Sequence, residues 1–466
     1  MVQAPPPSSA RAVDVDQVLR VDREHLIHPL SHPADHARPL VIVRGEGAEI
    51  FDANGKRYFD ALSGLWNVHI GHGRAELAQV AAEQMGTLAF NNNYVGFVNI
   101  PSTRLAEKLI EITYSNLNAV YFTTSGAESN ESAFKTARFF WKLQGKPDKV
   151  KIISRRWGYH GVTMAAASAT GLPAYHKMFA PLVPNFIQTV GPYRFRCELE
   201  GDAGSRPCTD PAGHDYAAEL EKTLVEQDPD TVAAILGEPV QGAGGVIVPP
   251  DDYWPKLRKI ADRHNVLLIA DEVITGFGRT GKMFALEHWN VQPDIVSFAK
   301  GVTSAYLPLG GIIVSRQVQN AINEAPADLK FMHAATYSGH PVCCAVGLAN
   351  LAIIEREGLV DRAAQIGPWF IQQLRQQLEP LAPVGQVRGL GMMAAVELVD
   401  PGATGTAFYD NAAGFAGKVV ARCVDQGMLA RRLNNTICMA PPLISTEPQL
   451  SRLIEVLAEA IQAEAS

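Results

Sequence analysis

The chain has 466 residues, of which 47% are hydrophobic and 19% charged, and carries a net charge of −7. That length exceeds one comfortable core, so two domains per subunit are expected, with ample apolar material to fill them. The modest negative charge excludes a binder that neutralises nucleic-acid phosphates with a basic face, and no stretch approaches the ~20 apolar residues of a membrane span.

Residues 1–13 are rich in Pro, Ser and Ala and lack the apolar stretch of a secretory signal, so they read as a frayed tail. Residues 45–58 (GEGAEIFDANGKRY) mix polar and apolar positions around Ala53-Asn54-Gly55 and predict a hairpin. From about residue 74, helical segments alternate with short apolar runs at 119–122, 150–153, 232–236, 266–270, 295–298 and 311–314. Such runs indicate a parallel sheet covered on both faces, hence a large α/β domain over 75–340. The stretch 193–215 is polar, turn-rich and aperiodic, and reads as a surface excursion. Beyond Pro341 the pattern becomes α+β, with amphipathic helices at 345–357 and 361–378, a strand at 391–398 and a closing helix at 448–463. The N-terminal hairpin finds no partner in the large domain. It is expected to pack with the C-terminal part, which makes the small domain discontinuous, 14–74 plus 341–466.

The six cysteines, Cys197, Cys208, Cys343, Cys344, Cys423 and Cys438, form no C-x-x-C pair. Neither a zinc knuckle nor a disulfide framework is expected, and a reducing cytoplasm is the simplest compartment. His69 and His72, like His333 and His340, lack a third ligand at metal-like spacing, so hydrogen-bonding roles are expected and no metal.

Three segments place chemistry at strand ends. The run 295–301 (IVSFAKG) ends in Lys300. Such a lysine either snorkels at a sheet edge or, desolvated, becomes a Schiff-base amine. The run 266–278 (VLLIADEVITGFG) delivers Asp271 and Glu272 at the carboxyl end of a strand, where open α/β sheets bind ligands. Asp271 either caps the next turn or holds a pyridinium N–H. In 123–130 (TTSGAESN), Ser125, Gly126 and Ala127 join a strand to an amphipathic helix, and serve as an ordinary N-cap or as a phosphate cup. Gly276 to Lys282 satisfies G-x-x-x-x-G-K, but Met283 cannot hold Mg²⁺ and the segment follows Asp271 too closely to open a strand–loop–helix unit, so a nucleotide loop is rejected.

Taken together, these segments resemble the class III aminotransferases of fold type I. The resemblance spans about residues 40–445 and is most specific over 267–315. It implies a large domain with a mostly parallel seven-stranded sheet, a discontinuous α+β small domain, and pyridoxal 5′-phosphate as cofactor. Lys300 would carry the cofactor and shuttle the substrate proton, and Asp271 would pair with the ring nitrogen. Ser125, Gly126 and Ala127 would cup the phosphate. Tyr159 would stack on the ring beside His160, with Val273 on the opposite face and Glu238 supporting. Thr336, in 335–341 (ATYSGHP), would reach the phosphate of a neighbouring subunit, which makes a homodimer with shared sites, alone or within a tetramer, part of the function.

Where GABA and ornithine aminotransferases carry a Glu that pairs with an active-site arginine, the segment 241–245 (QGAGG) has Ala243. Two other segments resemble the ω-amine:pyruvate group. Residues 62–66 (LSGLW) offer Trp66 as a pocket wall, and Arg431, registered on Ala440-Pro441-Pro442-Leu443, offers a mobile carboxylate clamp, with Arg432 the neighbour one residue out of register. The expected activity is transfer from a primary amine or ω-amino acid to a small 2-oxo acid such as pyruvate, with S enantiopreference. Alternatives are an aminomutase or racemase on the same scaffold, or a non-catalytic protein that kept the fold. Intact Lys300 and Asp271 argue against the last.

Overall fold

The computed structural model describes residues 13–30, 32–36, 39–199, 208, 214–402 and 414–465. The expected N-terminal tail, save Val13, and most of the excursion over 193–215 lie outside the described residues.

The chain opens with strands β1 (Ile42–Glu46), β2 (Glu49–Asp52) and β3 (Arg57–Asp60), an antiparallel meander. Its second turn is the predicted one. The Asp52 carboxylate accepts hydrogen bonds from the N–H groups of Asn54 and Lys56, both at 2.9 Å, and Gly55 takes φ 80°. A first turn at Gly47, φ 57°, makes three strands where the sequence predicted two.

The large sheet contains β4 (Leu117–Thr123), β5 (Lys151–Arg155), β6 (Phe186–Thr189), β7 (Val232–Gly237), β8 (Leu267–Asp271), β9 (Ile295–Phe298) and β10 (Gly310–Ser315). Their order is β4-β10-β9-β8-β7-β5-β6, and β10 alone runs antiparallel to its two neighbours. Every residue of β7, β8, β9 and β10 is buried. This is why these strands read as unbroken apolar runs: with helices on both faces, neither side tolerates alternation. Each fully buried Ile or Leu contributes on the order of 1.5–3 kcal/mol. The missed strand is β6, four residues (FIQT) half-buried at the sheet edge, too short and mixed for periodicity to reveal.

Beyond Pro341, which starts the Pro341–Arg356 helix at a position where its missing N–H costs nothing, the Leu359–Leu378 helix leads to a second antiparallel sheet. That sheet contains β11 (Val384–Leu390) and β12 (Met393–Leu398), which flank a tight turn at Gly391. Strand β13 (Met428–Leu429) leaves it to pair in parallel with β3. Strands β14 (Arg431–Leu433) and β15 (Thr436–Met439) complete the order β11-β12-β15-β14. Thus the C-terminal segment finishes the N-terminal sheet. Among the described residues, no helix is long and apolar enough to cross a membrane.

Candidate active site

The carboxyl ends of β8 and β9 lie side by side, so Asp271 and Lys300 face one cleft. Asp271 is 2% exposed. Its Oδ2 accepts hydrogen bonds from Asn130 Nδ2 and His160 Nδ1, each at 2.8 Å, and its Oδ1 accepts from the Val273 N–H at 3.2 Å. An ionised carboxylate only accepts, so the His160 proton sits on Nδ1. Asn130 also donates to the His160 carbonyl at 2.8 Å, which locks the two donors together.

Lys300 takes φ 44°, a left-handed conformation that a residue with a Cβ adopts only where its surroundings impose it. Desolvation pushes its amine down to about 8, with Asp271 and Glu238 opposing the shift and Arg431 adding to it. Part of its surface remains open to the cleft. Glu238 is buried, which raises its pKa, while its two oxygens accept from the N–H groups of Tyr159 at 2.9 Å and Gly242 at 2.8 Å.

Ser125 caps the Gly126–Leu143 helix. The first N–H groups of that helix, from Gly126 and Ala127, have no intrahelical acceptor and point along the positive end of its dipole. Gly126 tolerates no side chain, because a Cβ would lie 2.8 Å from Val273 Cγ1. Thus the small residues before the helix and Val273 after β8 meet, as a narrow slot requires. These groups suit pyridoxal phosphate: a buried amine whose charged form is disfavoured, a fixed carboxylate, and open N–H groups at a helix start.

Tyr159 is half-buried beside Tyr175, with ring centroids 5.4 Å apart, and Arg431 is close enough to both to lower their hydroxyl pKa values against the upward push of burial. The alternation of β14 sends Arg431 and Arg432 opposite ways. Arg431 faces Lys300 and the tyrosines, whereas the exposed Arg432 lies over Gly417 of the Phe415–Asp425 helix. Among the described residues, Arg431 forms no ion pair with any carboxylate. A cavity of about 570 Å³ adjoins both arginines, lined in part by Leu62, Gly64 and Asp60 but not by Lys300, Asp271 or Tyr159.

The structure places two expected residues differently from the rest. Trp66 is 2% exposed and packs against Val240, Ile274 and Cys438, inside rather than on an open wall. Thr336 is exposed and touches none of Lys300, Asp271 or Ser125 within the chain. Its neighbour Tyr337 meets Phe90 at 5.9 Å, on a surface where Val95, Phe97, Val98 and Ile100 are also exposed.

Sequence reasoning missed Asn130 and Tyr175. Asn130 sits one turn into a helix, where an asparagine carries no distinctive signal. Tyr175 lies in the short Pro173–Tyr175 turn. The rejected G-x-x-x-x-G-K segment is a brace. Arg279, fully buried, donates to the carbonyls of Met392 and Pro441 at 3.1 and 2.6 Å, and desolvation lowers its pKa to about 9.

Comparison with known proteins identifies the family and the fold. The family model for aminotransferase class-III matches residues 30–461. The chain is 38% identical to a diaminobutyrate–2-oxoglutarate transaminase of Halomonas elongata and 37% identical to a putrescine–pyruvate aminotransferase of Pseudomonas aeruginosa, each match covering 93% of both chains. Among solved structures, an (S)-enantioselective omega-transaminase of Thermomicrobium roseum superposes with a TM-score of 0.91 at 44% identity, covering 97% of this chain and 99% of the other. An omega-transaminase of Pseudomonas jessenii in complex with PMP gives 0.91 at 38% identity, covering 96% and 98%.

Proposed function

This chain belongs to the class III aminotransferases, which are pyridoxal-phosphate-dependent enzymes, and on that premise we propose that it transfers an amino group from a primary amine or ω-amino acid to pyruvate or a similarly small 2-oxo acid. The observation that carries this reading is Arg431. It faces Lys300 and Tyr159 without a carboxylate partner among the described residues, and by the resemblance Ala243 takes the place of an acidic gate. Small-molecule amines and 2-oxo acids are the substrates. The S preference follows by likeness to the Thermomicrobium roseum enzyme.

The residues divide the work. Asp271, held by Asn130 and His160, presents a fixed negative charge to the ring nitrogen. Gly126 and Ala127 would offer N–H groups to the phosphate, while Tyr159 and Val273 would flank the ring. When bound, the cofactor supplies an electron sink for the charge left at the substrate carbon as its proton departs. Lys300, whose charged form burial disfavours, would take that proton on Nζ and return it on the other side of the exchange. Two half-reactions follow one another in the same pocket.

That pocket must accept an apolar donor and then a carboxylate. A fixed buried cation facing the donor would be costly. Arg431 has a long stem and, among the described residues, no carboxylate partner to hold it, so its guanidinium swings toward the carboxylate of the acceptor and away for the donor. Arg431→Ala is expected to raise the KM for pyruvate ~10- to 100-fold, the scale of one charge-assisted pair at roughly 1.5–3 kcal/mol. The half-reaction with a monoamine lacking a carboxylate should change far less. Stopped-flow traces of each half-reaction check this. Equal damage to both would reject Arg431 as the clamp and make Arg432 the next variant. An amine-donor screen against pyruvate, with alanine as readout, tests the overall reading.

The exposed apolar surface around Phe90, Val95, Phe97 and Tyr337 is the kind a monomer rarely leaves open. A second copy of the chain covers it in this reading and brings Thr336 to the phosphate of the neighbouring site. Removing the cofactor then loosens the dimer by linkage. Sedimentation of apo and holo forms at low concentration should show a larger Kd for the apo form, and equal constants would count against a shared site.

A further inference from the structure

We propose that Cys197, Cys208 and His214 form a zinc site, none of whose ligands has a role in the catalytic chemistry, that staples the excursion between β6 and the Tyr216–Glu226 helix. The two Sγ atoms and a ring nitrogen of His214 all lie within 4.8 Å of one another. Tetrahedral zinc holds thiolates at about 2.3 Å and imidazole at about 2.0–2.1 Å, which sets its ligand atoms roughly 3.8 Å apart. The three donors therefore need to draw together by at most about 1 Å. A disulfide would require the sulfurs to close to about 2.05 Å and would give His214 no role. Two thiolates and a neutral imidazole are also the soft donor set that selects zinc over magnesium or calcium, and they neutralise its charge.

The ligands are anchored at two places in the fold, Cys197 and Cys208 at the Arg194–Arg196 turn and His214 at the start of the Tyr216–Glu226 helix. Cys197 is fully buried and follows the Arg194–Arg196 turn. That turn is bolted down by the ion pair of Arg196 Nε with Glu397 at 2.6 Å, and Glu397 also pairs with Arg388. The Cys208 N–H donates to the Arg194 carbonyl at 2.8 Å. His214 directly precedes Asp215, whose carboxylate caps the Tyr216–Glu226 helix through the Ala218 N–H at 3.0 Å. The Tyr216 hydroxyl donates to Cys197 Sγ at 3.8 Å, the kind of contact that orients a metal-bound sulfur. Cys208 and His214 are half-buried, and a zinc held by these three donors would take its fourth ligand from solvent. The spacing, C-x10-C-x5-H, follows no recognised zinc pattern, which is why the sequence predicted no metal.

Zinc binding releases the thiol protons and leaves all six cysteines without a disulfide, as the structure has them. The test is metal analysis of the holoenzyme, produced with zinc sulfate in the medium and dialysed without chelator, alongside Cys208→Ser and His214→Ala. Both substitutions fall at half-buried positions away from the cofactor. About one zinc per chain is expected, dropping severalfold in each variant, with a lower melting temperature after chelator treatment of the parent enzyme only. Cobalt substitution should show the visible bands of a tetrahedral ion, absent in both variants. The proposal is overturned by a parent enzyme with negligible zinc, by variants that retain all of it, or by non-reducing peptide mass analysis that finds Cys197 joined to Cys208.

Discussion

Lys300→Ala is expected to lose turnover by ~10⁴-fold or more, the top of the range for a positioned proton-transfer group, while keeping much of its affinity for the cofactor. The phosphate contacts proposed for Gly126 and Ala127, and the carboxylate of Asp271, do not depend on the amine. Steady-state assays paired with cofactor titration of the apoenzyme measure both quantities. Substantial steady-state activity in the variant would remove Lys300 from the mechanism. A second signature comes from stability. The lowered pKa of Lys300, about 8 against an ordinary 10.5, means the folded apoenzyme binds this proton less readily than the unfolded chain. The cost of the buried cation is therefore fully present below pH ~8 and is relieved as pH rises toward ~10.5. Apo Lys300→Ala should melt at or above the parent apoenzyme at neutral pH, and the difference should shrink through that window.

Asp271→Asn should fold and yet lose about 10³-fold in kcat, on the scale of one preorganised electrostatic contact at roughly 2.7–4 kcal/mol. The amide is neutral, so it cannot keep the ring nitrogen protonated. It also cannot satisfy its neighbours, because Asn130 and His160 donate to one carboxylate oxygen and the Val273 N–H to the other. Whichever way the amide turns, its NH₂ opposes a donor, at a local cost of about 1–3 kcal/mol. Single-turnover rates of both half-reactions, with a melting curve to show that the fold survives, make the measurement. A loss below tenfold would mean that another group holds the ring nitrogen.

Much of the architecture was legible because the large sheet is buried on both faces. Strands β7 to β10 are then nearly pure apolar segments, and the residues that break each run are the ones delivered to the cleft. Asp271 and Lys300 announce themselves this way, as does the small-residue turn at Ser125-Gly126 before an amphipathic helix. Strand β6 stayed hidden because it is a short edge strand of mixed polarity, and β11 because the turn at Gly391 separates it from the run that was recognised.

The sequence by itself determined the family and which residues stand at the strand ends, since both depend on local punctuation and short-range spacing. Only the tertiary structure decided which side chains meet. Asn130 and His160 stand 141 and 111 residues from Asp271 along the chain, and helix and loop packing alone brings them to its carboxylate. The pairing of β14 with β15 decided that Arg431 faces the cleft and Arg432 the Phe415–Asp425 helix. Side chains alternate along a strand, so a shift of one residue in that pairing would exchange the two arginines. Register is set by long-range contacts that no local pattern encodes.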